Sequence, residues 1–277
     1  MRKLRSLRFL LPVACLLIGT IALAQRSRRR DAPVDRSGLP QWEMDARFTK
    51  DVFTFARIKY PSDRGGWSRE KWGVDYPDSD LNFSYRLQQI TSLKVHPEGK
   101  ILELTDLELF DYPWIYIVEP GDMDLTDEET AGLRRYLLNG GFLMVDDFWG
   151  EREWDNFYHN IKRVFPDREP VDLPMDHPIF SCVFPLKLTR NQLQVPAIYR
   201  GYSSQFDGVT WERPDAREVH FRAIFDDKGR MMAMICHNTD NGDGWEREGE
   251  NEYYFREFSE KKAYPLGINI VFYAMTH

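Results

Sequence analysis

The sequence predicts an α/β fold in which helices cover both faces of an open, mostly parallel β-sheet, with a β-hairpin region near the C-terminus. Two apolar runs, residues 114–118 and 142–145, have the composition of strands that are buried on both faces. The segment between them has a helical pattern. It begins at a capping box formed by Thr126 and Glu129 and ends at Gly140-Gly141. Helices placed between buried strands are typical of a parallel sheet.

The remaining elements follow from the spacing of apolar residues along the chain. They are, in order, strands at residues 53–60 and 100–104, a helix beginning at residues 77–80, a helix at residues 154–165, strands at residues 219–225 and 231–236 joined as a hairpin, and an apolar helix at residues 264–275. Residues 171–218 are rich in proline, glycine and polar residues, and we expect them to form an insertion with short strands.

The N-terminus has the pattern of an export signal. Four basic residues precede an apolar run at residues 9–23, and Ala22-Leu23-Ala24 forms an A-x-A cleavage site. We therefore expect residues 1–24 to be a signal peptide cleaved after Ala24, residues 25–46 to be a disordered tether, and residues 47–277 to form a single α/β domain. An uncleaved membrane anchor is the alternative for the first segment, and it is the only membrane association that we expect.

Charge and compartment limit the partners of the exported chain. Removing the four basic residues of the signal changes the formal net charge from −7 to −11, which argues against nucleic acid as a ligand. We expect a periplasmic or otherwise exported protein. Cys182 and Cys236 would remain after cleavage, and the sequence is equally compatible with a disulfide and with two free thiols.

If the strands are parallel, three polar loops meet at their carboxyl ends, where α/β sheets bind ligands. The loops follow residues 53–60, residues 142–145 and residues 231–236. Together with a histidine in a separate loop, they supply the side chains that we predict to line a candidate pocket: Arg57, Tyr60, Arg64, Trp67, Asp146, Asp147, Trp149, His177, His237 and Asp240.

Structural explanations compete with this functional interpretation. Asp146 and Asp147 also suit an N-cap of the following helix with a solvated neighbour. Arg57 lies in an otherwise apolar strand and would need a buried carboxylate partner, such as Asp146 or Asp147. The loop from Asp240 partly resembles a calcium-binding loop, but Asn251 stands where such a loop has its bidentate glutamate. A simple turn is the alternative there.

Known catalytic motifs are missing from the sequence. It contains neither phosphate-binding glycine motif, no zinc-ligand spacing and no G-x-S-x-G nucleophile elbow. Histidines such as His177, which stands beside a proline, more often cap or pack a loop than act in a site. The sequence therefore leaves metal and cofactor unassigned.

Four segments carry a family resemblance: FARIKYPSDRGGW (55–67), LNGGFLMVDDFWG (138–150), DHPIF (176–180) and YPLGINIVFYAMTH (264–277). With them the chain from residue 53 onward resembles the DUF4159 family, which is grouped with class I glutamine amidotransferase-like folds. The resemblance implies a flavodoxin-like α/β domain. The second and third segments are also similar to the ThuA-like branch of that group, which is associated with sugar metabolism. No residue here matches the catalytic cysteine of working amidotransferases, so the resemblance implies no amidotransferase activity.

Three functional hypotheses follow. The first is an exported, non-catalytic binding or scaffolding domain of the bacterial cell envelope, which holds a small carbohydrate-like ligand or an envelope protein partner in the strand-end crevice. The alternative is a hydrolase or sugar-modifying enzyme of the ThuA-like type, using Asp146, Asp147, His177 and His237 with assistance from a divalent metal. The third, a degenerate amidotransferase partner subunit, rests on fold analogy alone.

Overall fold

The computed structural model describes residues 38–40, 42–44, 46–48, 51–62 and 71–277. The predicted signal peptide and most of the predicted tether lie outside these residues. Within the described ranges, no helix combines the length and the apolar character needed to cross a bilayer.

The body of the chain is built on one seven-stranded sheet with the strand order β2-β1-β3-β4-β7-β6-β5. Neighbouring strands among β1, β2, β3, β4 and β7 run parallel, while β6 is antiparallel to both β7 and β5. The strands are Ala56–Ile58 (β1), Lys100–Leu102 (β2), Trp114–Val118 (β3), Phe142–Asp146 (β4), Val171–Asp172 (β5), His220–Phe225 (β6) and Met231–His237 (β7). The predicted α/β fold and C-terminal hairpin are confirmed, and the order 2-1-3-4 is that of flavodoxin-like sheets.

Helices connect most of the strands. They are Asp78–Ile90 (α1), Asp127–Leu138 (α2), Gly150–Val164 (α3), Ile198–Asp207 (α4), Asn241–Glu246 (α5), the single turn Glu252–Tyr254 (α6) and Tyr264–Thr276 (α7). A π-helix, Phe255–Ala263, joins α6 to α7 without a break.

The central strand β4 has the environment that its composition predicts. All five of its residues are buried, because β3 and β7 flank it and an apolar layer covers each face. Phe142 and Met144 pack into one layer with the last helix, while Leu143 and Val145 pack into the other with α2 and α3. Helix α2 begins at the predicted capping box of Thr126 and Glu129.

The insertion at residues 171–218 differs from the prediction of short strands. It contains one two-residue strand, two 3-10 turns and the helix α4, which the sequence analysis missed. Helix α4 buries only Ile198, Gly201 and Ser204, while Tyr199 and Phe206 are exposed. The aromatic side chains therefore lie on the solvent face, and the buried face consists mostly of small residues that give no apolar period.

The two described cysteines are not paired with each other. Cys236 is buried within β7, whereas Cys182 is exposed, and its thiol lies 3.3 Å from the carbonyl oxygen of Asn269. Burial raises the pKa of the Cys236 thiol well above its usual range, so this thiol is unreactive.

Gly132 allows α2 to approach the loop after β2, and it provides a test of this packing. A Cβ atom at residue 132 would lie 2.2 Å from the carbonyl oxygen of Leu104. We expect Gly132→Ala to lower the free energy of unfolding by about 1–3 kcal/mol, although alanine favours a helix by about 1 kcal/mol. Urea denaturation measures the change, with Glu128→Ala on the exposed face as the control. A stabilised Gly132→Ala variant would show that the backbone contact is not tight.

Candidate functional site

Backbone strain is concentrated at the carboxyl edge of the sheet. Four described non-glycine residues have positive φ angles: Asp75 (63°), Glu119 (45°), Asp147 (56°) and Asn238 (62°). The last three directly follow strands β3, β4 and β7. Each such residue costs on the order of 1–3 kcal/mol, and strained positions of this kind cluster at functional sites.

Three buried carboxylates converge at this edge. Asp147 follows β4, Asp240 lies in the turn between β7 and α5, and Asp75 precedes α1. One oxygen atom from each lies within 4.8 Å of one from each of the others. Their exposed fractions are 9% for Asp75, 8% for Asp147 and 4% for Asp240, so water screens their repulsion poorly. We call these three residues the acid cluster.

Hydrogen bonds fix the orientation of two of these carboxylates. Oδ1 of Asp147 accepts a bond from the indole Nε1 of Trp149 at 3.0 Å, and Oδ1 of Asp240 accepts one from the backbone N–H of Asp243 at 2.7 Å. The described residues donate no hydrogen bond to the other oxygen of either side chain. Oδ2 of Asp75 is buried and also has no partner among them. Each of the three carboxylates therefore has at least one oxygen that accepts no hydrogen bond from the described residues.

The electrostatic environment disfavours the charged forms of all three acids. Burial is the main cause that raises the pKa of Asp75, Asp147 and Asp240 well above the usual aspartate range. Neighbouring negative charges add to the effect, chiefly Asp243 on Asp75, Glu119 on Asp147 and Asp147 on Asp240. A positive charge placed among them would reverse the balance.

Arg57 has a different partner from the one predicted. Its guanidinium is fully buried and pairs with Asp80 of α1, at 2.5 Å from Nη2 to Oδ1, instead of with Asp146 or Asp147. Nη1 also donates to the carbonyl oxygens of Trp72 and Val74, at 3.0 Å and 2.9 Å. The prediction was wrong because α1 packs close to β1, where the carboxylate of Asp80 reaches Arg57. Through Val74, Arg57 holds the backbone next to Asp75.

Asp146 holds the turn next to the acid cluster in place. Its carboxylate accepts hydrogen bonds from the hydroxyl of Tyr116, from the backbone N–H groups of Asn241 and Gly242, and from the side-chain amide of Asn241. Burial raises its pKa to about 6, and these bonds oppose that rise. Asp146 does cap a helix, as the structural interpretation predicted. The capped helix is α5, however, and not the following helix α3. Asp146 therefore fixes the turn that carries Asp240.

His237 does not belong to the acid cluster. Nδ1 accepts a hydrogen bond from Arg222 at 3.2 Å, which leaves Nε2–H to donate to the carbonyl oxygen of Gly150 at 3.2 Å. The ring stacks on Phe148 with the centroids 4.7 Å apart. Burial lowers the pKa of His237 to about 3, so the imidazole is neutral and structural at physiological pH.

The other predicted residues are spread over several positions. Trp149 is in the site through its bond to Asp147, and the hydroxyl of Tyr60 lies 2.7 Å from the carbonyl oxygens of Val118 and Glu119 at the same edge. His177 accepts a bond from the N–H of Ile179 and contacts the last helix, so it packs a loop. Arg64 and Trp67 lie outside the described residues.

Sequence reasoning missed Asp75 and Glu246. Asp75, Asp243 and Glu246 form a second group whose oxygen atoms lie within 4.8 Å of one another. The guanidinium Nε of Arg247 lies 3.3 Å from Asp243 and 2.6 Å from Glu246, so this group has a positive charge of its own. No local motif marks Asp75, because its place depends on the distant Arg57. Helical spacing from Asp243 could have suggested Glu246 only if α5 had been recognised as a helix.

The buried His237 makes stability depend on pH. Its folded pKa of about 3 lies below the unfolded value of about 6.5, so protons bind preferentially to the unfolded chain. The contribution of His237 is therefore complete above about pH 6.5 and is lost as the pH falls towards 3. We expect the difference in unfolding free energy between the wild type and His237→Gln to shrink by up to about 1.4 kcal/mol per pH unit. A difference that stays constant from pH 7 to pH 4 would contradict the assignment.

Sequence comparison places the chain in a family but not in a functional class. A search among curated proteins returned no match. The sequence model described as "Domain of unknown function (DUF4159)" matches residues 54–275, a span that contains every strand of the sheet and the whole acid cluster. The chain therefore belongs to the DUF4159 family.

Proposed function

We propose that this protein is an exported, non-catalytic binding domain of the bacterial cell envelope, and that it holds a positively charged ligand, or a cationic group of a partner, at the acid cluster. The observation that carries the proposal is the convergence of three buried carboxylates, Asp75, Asp147 and Asp240, with one oxygen of each within 4.8 Å of one from each of the others. The proposed export rests on the N-terminal sequence pattern alone.

Among the described residues, the positive charges near the cluster are already paired. Arg57 pairs with Asp80, Lys71 pairs with Glu119, and Arg247 pairs with Asp243 and Glu246. Buried carboxylates that lack such a partner repel one another and favour protonation. A site that retains this repulsion is less stable than it could be, which is typical of functional sites. Binding of a cationic ligand would remove the repulsion.

A metal-assisted hydrolase or sugar-modifying enzyme is the second candidate. It is supported by Asp147, whose positive φ lies at a turn between a central strand and a helix. Three of the groups that this hypothesis would use have other roles, since Asp146 is bound to α5, His177 packs a loop, and His237 is bound to Arg222 and Gly150. No histidine belongs to the cluster, so the imidazoles of this hypothesis do not act there, and binding is the better supported function.

Asp240→Asn tests whether the cluster stores uncompensated negative charge. An asparagine still caps α5 through its side-chain oxygen but removes one charge. In a buffer with chelator at pH 7.5, we expect the melting temperature to rise by about 2–4 °C, equivalent to about 1 kcal/mol. The exposed Asp155→Asn should leave it unchanged.

The same variant tests ligand binding. A thermal-shift panel of CaCl₂, MgCl₂, MnCl₂, spermidine and argininamide should contain at least one cation that stabilises the wild type and the control but not Asp240→Asn. A melting temperature that falls in Asp240→Asn, together with a flat panel for the wild type, would contradict the proposed function.

A further inference from the structure

We infer that Asp75, Asp147 and Asp240 form a binding site for a hard divalent cation of the Mg²⁺, Ca²⁺ and Mn²⁺ class. This inference rests on the proposed cation-binding function and names the chemical class of the ligand. The three donor oxygens lie within 4.8 Å of one another, a spacing that allows all three to reach one ion at the usual metal–oxygen distances of about 2.0–2.6 Å.

The donor set selects the type of metal. All three ligands are carboxylates, and no histidine or cysteine belongs to the group. Oxygen-only sites favour magnesium, calcium and manganese, whereas zinc and copper are usually held with imidazole or thiolate ligands. A divalent ion would neutralise two of the three negative charges, while an organic amine brings only one charge at a single nitrogen.

An unpartnered oxygen of Asp75 gives further support. Oδ2 of Asp75 is buried on a side chain that is only 9% exposed, and it accepts no hydrogen bond from the described residues. This oxygen lies close to Gly242: a Cβ atom at residue 242 would be 2.3 Å from it. In the turn that carries Asp240, the fully buried Asn241 also has an oxygen, Oδ1, without a donor among the described residues. Buried acceptors without donors are costly, and a cation bound to Asp75 would compensate its oxygen directly.

The supporting contacts are those that a metal site needs. Ligating carboxylates usually accept a hydrogen bond on the oxygen that does not bind the metal. Trp149 donates a hydrogen bond to one oxygen of Asp147, and the N–H of Asp243 donates one to one oxygen of Asp240, which leaves the second oxygen of each for a metal. Arg57 fixes the carbonyl of Val74, the residue before Asp75. In each of the three loops, a residue outside the cluster thus orients the carboxylate or holds the backbone beside it.

The second acidic group is a weaker candidate for the ion. Asp243 accepts hydrogen bonds from the N–H of Ile198 and from Arg247, and Glu246 lies 2.6 Å from the same guanidinium. A positive charge already neutralises this group in part, so a divalent ion gains less there. Asp75 belongs to both groups, and variants of the other members tell the two positions apart.

The experiment titrates chelator-treated protein with MnCl₂ and follows free Mn²⁺ by electron paramagnetic resonance, with CaCl₂ and MgCl₂ as competitors. We expect about one Mn²⁺ per chain, and a loss of affinity of at least tenfold in each of Asp75→Asn, Asp147→Asn and Asp240→Asn. Glu246→Gln, the matched control, should change the affinity less than threefold. Circular dichroism establishes that each variant is folded, and a variant that fails this check is replaced by the corresponding Asp→Ser.

Each result decides between the proposals. If Glu246→Gln abolishes binding while Asp147→Asn retains it, the ion occupies the second group and the assigned ligand set is wrong. If Mn²⁺ does not bind but spermidine or argininamide raises the melting temperature, the metal inference fails and the proposed cationic ligand remains. If no cation binds or stabilises the protein, both proposals fail.

Discussion

The buried ion pair between Arg57 and Asp80 is the interaction on which the carboxyl edge of the sheet depends. It joins β1 to α1, and the remaining donors of the guanidinium hold the carbonyl oxygens of Trp72 and Val74. Removing one partner of such a pair costs about 3–5 kcal/mol, because the other charge stays buried without compensation. The pair therefore does more than stabilise the core: it fixes the chain next to Asp75 and brings this carboxylate to the strand ends.

The parallel sheet supplies the other two acids. Strands β4 and β7 are neighbours and run in the same direction, so the residues that follow them meet at one edge even though about ninety positions separate Asp147 from Asp240 in the sequence. Asp146 strengthens this junction because it extends β4 yet caps the helix that follows β7. The positive φ angles of Asp147 and Asn238 add strain at the same place. Charge repulsion and strain are both costs to stability, and they coincide at the proposed binding site.

Local patterns predicted most of the fold. The capping box, the glycine stop after α2 and the apolar runs of β3 and β4 are properties of neighbouring residues, and each is present as expected. Helix α4 was not predicted, because its buried face is made mostly of small residues and its exposed face carries Tyr199 and Phe206. The site was harder to predict. Asp147 and Asp240 could be found because strand ends converge in a parallel sheet. The partner of Arg57, the role of Asp75 and the structural position of His237 depend on long-range packing that no local spacing records.

The most direct test of the central claim, that the acid cluster is a cation site, is the anomalous scattering of manganese in crystals of the protein grown with MnCl₂. The account predicts an anomalous difference peak between Asp75, Asp147 and Asp240, at about 2.1–2.6 Å from one oxygen of each. A map without a peak there, in which these carboxylates instead pair with arginine or lysine side chains, would contradict it.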